Sequence, residues 1–243
     1  MTLRMSCIRH SSSLLVLLVL LAACQTPSRS AFNPRLKREL DSLYVVDQQY
    51  RELLMAGPAA KPRLDSVARA AGVPPERVFE YVNEQMVTRD SLNIRRVASI
   101  IRQYGYPGRT LVGEPTNEAA MMVIQHSTRI PHYIQLIERA AAQGELPFDL
   151  YALMLDRHLM YQGKEQVYGT QGRGFGVPNP TTGQQEQVTF IWPIQDAAHV
   201  NERRRKAGFD LTVEANAQRL GIEYKPMTLE EARRIEQAAK AQP

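Results

Sequence analysis

The sequence predicts a mainly α fold, a single helical domain with one small two-stranded β-hairpin after the central helices. Three observations predict it. Apolar residues recur every three or four positions in segments that end at glycine or proline, which is the pattern of amphipathic helices. One stretch alone, between Gln166 and Trp192, is rich in β-branched and aromatic residues in the manner of strands. Finally, the chain of 243 residues has only two cysteines, Cys7 and Cys24, so its stability must come from a packed core rather than from disulfides.

The N-terminus carries Arg4 and Arg9, then an apolar run from Leu14 to Ala22, then Cys24 behind small residues. This is the layout of a secretory signal peptide over residues 1–23. The apolar run falls short of the ~20 residues that a spanning helix needs. Leu21-Ala22-Ala23-Cys24 resembles the bacterial lipobox. That resemblance implies a diacylglycerol on the sulfur of Cys24, an acyl chain such as palmitate on its amino group, and a cell-envelope lipoprotein anchored to the membrane. Gln25 places no acidic residue behind the cysteine, which by the same resemblance favours the outer membrane, facing the periplasm. Residues 24–33 then read as a lipidated flexible tether. Cleavage removes Cys7, and lipid consumes Cys24, so the mature domain has no disulfide, thiolate nucleophile or thiolate metal site. The formal charge of +5 falls with the loss of Arg4 and Arg9. An exported, mildly basic domain meets no nucleic acid, and its charge serves solubility or attraction to anionic headgroups.

The domain proper is expected over residues 34–220. Asn33-Pro34 caps a first helix, with Leu36, Leu40, Leu43, Asp47, Tyr50 and Leu54 at helical spacing until Gly57-Pro58 stops it. A second helix begins near Pro74-Pro75-Glu76, carries Val78, Val82, Val97 and Ile101 on one side, and ends at Gly105-Tyr106-Pro107-Gly108. A third, capped by Thr116 or Asn117, runs through Ala119–Ile124 to Gln125-His126 and is apolar all round, so it is expected to be buried. Tyr133–Gln143 and Pro147–Tyr161 follow, closed by Gly144 and Gly163, and their short connections predict antiparallel neighbours. Gln166–Gln171 and Gln187–Trp192 are expected strands, and Gly172–Gly183 is an expected long loop or lid. The chain returns to helix behind Asp196, again after Asp210, and ends in a charged helical tail over residues 221–243.

Several of these residues resemble an uncharacterised bacterial domain family, DUF6624. The match is carried by Asp47-Gln48, Tyr50-Arg51, Asp90, Asn93, Tyr104-Gly105-Tyr106-Pro107, Val112-Gly113, Gln125-His126-Ser127, Asp156-Arg157, Gly163, Gln166–Gln171 and Asn201–Arg204. Tyr106 stands where many members have tryptophan. The resemblance covers roughly Leu40 to Leu220 and implies a fold and a set of residues, with no activity attached.

A polar pocket is expected where these residues meet. His126 ends an apolar helix, and a buried imidazole needs hydrogen-bond partners. Asp156 is the expected orienting carboxylate, which would make His126 and Asp156 an acid–base pair, with Thr170, Ser127 or water as the attacking oxygen. Gln125, Arg157, Gln166, Tyr168, Thr170, Gln171 and Arg203 are the expected ligand-binding residues. Arg157, with Arg203 or Arg204, would offer a planar fork of donors to a carboxylate or phosphate. Asp47 with Arg51, and Asp90 with Asn93, read as internal struts one helical turn apart. Gly172–Gly176 lacks the helix that a phosphate loop requires. The histidines lack the spacing of zinc proteases, so no metal and no cofactor are expected. Two readings remain open: a membrane-tethered domain that binds a small molecule or peptide of the envelope, and a hydrolase or group-transfer enzyme using the same pocket.

Overall fold

The computed structural model describes residues 32–179 and 182–241. The expected signal peptide, the lipidation point Cys24 and the tether up to residue 31 lie outside the described residues. Among the described residues, ten α-helices and one antiparallel hairpin form the mainly α fold that the sequence predicts. No described helix is long and apolar enough to cross a membrane.

Helix α1 (Pro34–Met55) opens where Asn33 accepts the Leu36 N–H at 3.0 Å and Pro34 occupies the first turn. After Gly57-Pro58 the chain makes a 3-10 turn and enters α2 (Lys61–Ala71), a helix that the sequence reading did not expect. Proline in a first turn starts helices as readily as it ends them, and Pro62 does so here, with Leu64 and Ala68 buried one turn apart. Helix α3 (Val78–Tyr104) runs antiparallel to α1: Arg51 of α1 meets Asp90, and Glu39 near the start of α1 meets Arg96 further along α3.

A single turn, α4 (Arg109–Val112), leads through a 3-10 turn to α5 (Ala119–Gln125). As expected of a helix that is apolar all round, α5 is buried at Ala119, Ala120, Met121, Val123, Ile124 and Gln125. Helices α6 (Ile130–Ala142) and α7 (Phe148–Tyr161) pack together beside it. Leu40, Ile100, Met121, Ile124, Ile137 and Met154 are the sealed centre of this bundle. Burying each such side chain fully stabilises the fold by about 1.5–3 kcal/mol. A second cluster, with Leu53, Leu64 and Val82, joins α2 to the far ends of α1 and α3. The buried hydrophobic residues of the described chain begin at Leu36, so a protein that starts at Gln25 keeps the whole core.

The second strand of the hairpin falls where it is expected, within two residues of Gln187–Trp192, whereas the first lies later than expected. Strand β1 is Gly172–Pro178, in the segment read as a loop, and it pairs with β2 (Gln185–Ile191) in a register that sets Phe175 opposite Val188. The glycine of β1 that meets Ile222 shows why a glycine-rich run can be a strand. A Cβ on Gly172 would lie 2.6 Å from the Ile222 side chain, so glycine is there for close approach rather than for flexibility. The expected first strand, Gln166–Gln171, is irregular chain with only an isolated bridge from Gln166 to Ile194. The amide donors of Val167, Tyr168 and Thr170 are taken by a side chain, Asp156, instead of by a neighbouring strand.

Helix α8 (Val200–Lys206) follows a 3-10 turn behind Asp196, and α9 (Val213–Arg219) is capped by Thr212. Asp196 gives no side-chain cap; it adopts φ 43° and its carboxylate meets His199. The charged tail forms α10 (Leu229–Lys240), started by a capping box of Thr228 and Glu231, and packs on β1.

Candidate functional site

The end of α5 points at α1. His126 directs Nδ1 at Asp47 Oδ2, 2.8 Å away, and Gln48 donates to the same oxygen at 2.7 Å. The Asp47 side chain is wholly buried. Arg51, one turn along α1, donates through Nη1 to the Asp47 carbonyl at 2.6 Å and holds that nitrogen 3.5 Å from Asp47 Oδ1. Its Nη2 donates to Asp90 Oδ2 on α3 at 2.6 Å. One buried carboxylate, one half-buried carboxylate, one guanidinium and one imidazole thus join α1, α3 and α5. Removing water from carboxylates is costly unless cations and donors face them, and Arg51 supplies the cation.

In front of His126 lies a cleft of about 600 Å³ lined by Arg51, Gln125, His126, Arg157, His158 and Tyr161, together with Ser127, Thr128, Ile130 and Pro131. Arg157 reaches it from α7. Its Nε donates to Gln171 Oε1 at 3.1 Å and its Nη1 contacts the Gln125 carbonyl at 3.4 Å. Among the described residues Arg157 has no carboxylate partner and its Nη2 has no hydrogen-bond acceptor. Burial disfavours its charge, and the nearby Arg51 adds repulsion. His158 is pushed below the usual imidazole range by burial and then by Lys164, and its Nε2 is 2.8 Å from Gln162 Nε2. The remaining nitrogen of His126, Nε2, has no partner among the described residues. The cleft therefore offers donors and positive charge, with its carboxylates held behind the imidazole.

The expected pairing of His126 with Asp156 is not formed. Asp156 lies fully buried and accepts the N–H groups of Val167, Tyr168 and Thr170 at 2.7–3.2 Å, so both of its oxygens are taken by main-chain amides. Its place as orienter is taken by Asp47. Ser127 donates its hydroxyl to the Ile124 carbonyl, and Thr170 Oγ1 accepts from Gln171.

Of the expected ligand-binding residues, Gln125 and Arg157 line the cleft, and Gln171 braces Arg157 from behind. The other four are spent on the backbone of the irregular segment and do not line the cleft. Gln166 is fully buried and bonds Gln171 and Trp192 main-chain groups. The Tyr168 main chain is held by Asp156 and Arg204. Thr170 gives its N–H to Asp156. Arg203 donates to the carbonyls of Val167 and Asp196. A continuous hydrogen-bond path still runs from Asp156 through Thr170 and Gln171 to Arg157 and Gln125. The His126–Asp47 pair and His158 are what the sequence reading missed. One signal was available: Asp47 occupies an apolar-stripe position of α1, where an ionised group needs a partner. Among the described residues no group of three or more metal-ligating side chains is close enough to hold a metal ion.

The family model DUF6624, described as a family of unknown function, matches residues 36–220. No curated protein and no solved structure matches the chain.

Proposed function

The chain belongs to the DUF6624 family, a family of unknown function, and from its own site we propose that it is an envelope lipoprotein whose cleft binds the anionic group of a small ligand. The observation that carries this reading is Arg157, a guanidinium in the cleft wall with no counterion among the described residues and Nη2 unoccupied. Arginine cannot shed its proton to escape burial. A carboxylate or phosphate entering the cleft would supply the missing charge and accept from the free side of the fork. The order of basic start, apolar run and Cys24 supports export and a lipid anchor, with the domain on the periplasmic side of the outer membrane.

The test is thermal-shift screening of the protein from Gln25 onward against carboxylate- and phosphate-bearing envelope metabolites. Stabilisation by such a compound should vanish in Arg157→Ala and persist in Arg205→Ala. Anion binding that is indifferent to Arg157→Ala overturns the reading. The anchor is tested separately: Cys24→Ala should lose fatty-acid labelling and membrane fractionation, and unchanged labelling overturns it.

A second reading, hydrolysis or group transfer, is favoured by the His126–Asp47 contact of 2.8 Å. A buried carboxylate on Nδ1 fixes the tautomer and leaves Nε2 to take a proton. With the Ser127 hydroxyl donated to the Ile124 carbonyl, the attacking oxygen in this reading is water. Turnover of the bound ligand that disappears in His126→Gln while binding survives is the result that would select it.

A further inference from the structure

On the other side of the Ser127–Arg129 turn lies a second groove, of about 470 Å³, formed by α3 and the start of α6. Its apolar floor is Ile94, Ala98, Ile101 and Tyr133, and its rim carries Arg95, Arg102, Arg129 and His132. Helical spacing makes this arrangement: positions 94, 98 and 101 share one face of α3, while 95 and 102 stand two turns apart along its edge. The three arginines are exposed and have no carboxylate partner among the described residues. The neighbouring Arg96 of α3 behaves otherwise and pairs with Glu39. No acidic residue lines the groove.

Its position in the fold says what such a surface faces. Helices α1 and α3 are antiparallel, so the Arg102 end of α3 lies at the end of the bundle where the chain emerges from residues 1–31. The Asn33 N–H bonds to the Leu111 carbonyl at 2.8 Å, just past the end of α3. A stretch from Cys24 to Phe32 spans at most about 30 Å when fully extended, so a lipid on Cys24 would keep this end within reach of headgroups.

We propose that the groove bounded by Arg95, Arg102 and Arg129 is a docking surface for anionic phospholipid headgroups, holding this end of the domain against the membrane. The guanidiniums meet lipid phosphates, and the apolar floor faces the glycerol and upper acyl region. The surface is separate from the Arg157 cleft, and it would orient a lipid-anchored domain rather than leave it free on its tether. Its placement argument rests on the Cys24 reading, whereas its charge and groove do not.

The experiment is cosedimentation of the protein from Gln25 onward, which carries no lipid, with vesicles of phosphatidylglycerol and phosphatidylcholine in equal amounts and with vesicles of phosphatidylcholine alone. Binding is expected to the anionic vesicles only and to weaken steeply with added salt. The triple variant R95E/R102E/R129E should lower the bound fraction about tenfold or more. A control with the same charge change elsewhere, R63E/R69E/R205E, should retain most of it. Equal loss in both triple variants means that net charge alone acts and overturns the proposal, as does absence of binding to anionic vesicles. A concentration-dependent dimer that the groove variant abolishes would assign the surface to a second copy and overturn it as well. Since the exposed arginines lie outside the core, the variants should keep the wild-type circular dichroism. Failure here leaves the fatty-acid labelling of Cys24 to be judged on its own.

Discussion

His126 at the end of α5 and Asp47 in the middle of α1 are 79 residues apart in sequence, and their side chains meet at 2.8 Å. The contact occurs because a helix apolar on every side is driven into the bundle, carrying its terminal imidazole against the buried face of α1. Asp47 is sealed there together with Arg51, which also holds Asp90. Of this group, His126 and Arg51 line the cleft, whereas Asp47 and Asp90 do not.

Arg51→Met should be among the most destabilising substitutions near the site. It leaves Asp47 and Asp90 without their shared cation, and breaking a buried pair in this way costs about 3–5 kcal/mol. For a chain of this size that lowers Tm by roughly 10 °C or more. A Tm within two degrees of the wild type would show that the network is not held by Arg51.

Arg157→Ala should behave in the opposite way. Burial opposes this charge and no carboxylate is lost with it, which offsets the loss of its bonds to Gln171 and Gln125, so stability should fall by no more than about 1 kcal/mol. Chemical denaturation checks this, and a large loss would mean that Arg157 braces the fold rather than waits for an anion.

His158 should titrate below the ordinary imidazole range, because burial and then Lys164 disfavour the charged ring. A histidine with a depressed folded-state pKa binds fewer protons than the unfolded chain just below pH 6.5, so stability is lost as the pH falls through that region. An anion bound beside Arg157 should raise the midpoint. Imidazole carbon NMR with and without the bound anion reads both effects, and a midpoint at or above 6.5 in the free protein contradicts the assignment.

Gly169→Ala should destabilise the fold clearly, by about 1–3 kcal/mol. Gly169 has φ 66°, and an added Cβ would lie 2.7 Å from both Ile194 and Val213. This turn is what lets Asp156 collect three amide donors, so urea unfolding of the variant should show a lower midpoint. An unchanged midpoint would mean that the packing around Ile194 yields.

The sequence by itself determined the helices whose packing stripe or all-round apolarity repeats locally: α1 from the Asn33-Pro34 cap, α3, the buried α5, α6, α7 and the capped α10. These features are set by neighbours three or four residues away, which is the range that periodicity reports. It also brought Gln125, His126, Arg157 and Gln171 into one set of polar residues. Tertiary structure alone decided the partners. Asp47 sits as near the apolar stripe of α1 as any leucine there, and only the docking of α5 decides that it, and not Asp156, receives His126. Asp156 is drawn instead to the amides of residues 167–170, an arrangement that no spacing encodes because it depends on how one irregular segment folds over α7. The strand at Gly172–Pro178 reads as a loop for the same reason: Gly172 answers to Ile222, fifty residues on, and a side chain that distant leaves no mark on local composition.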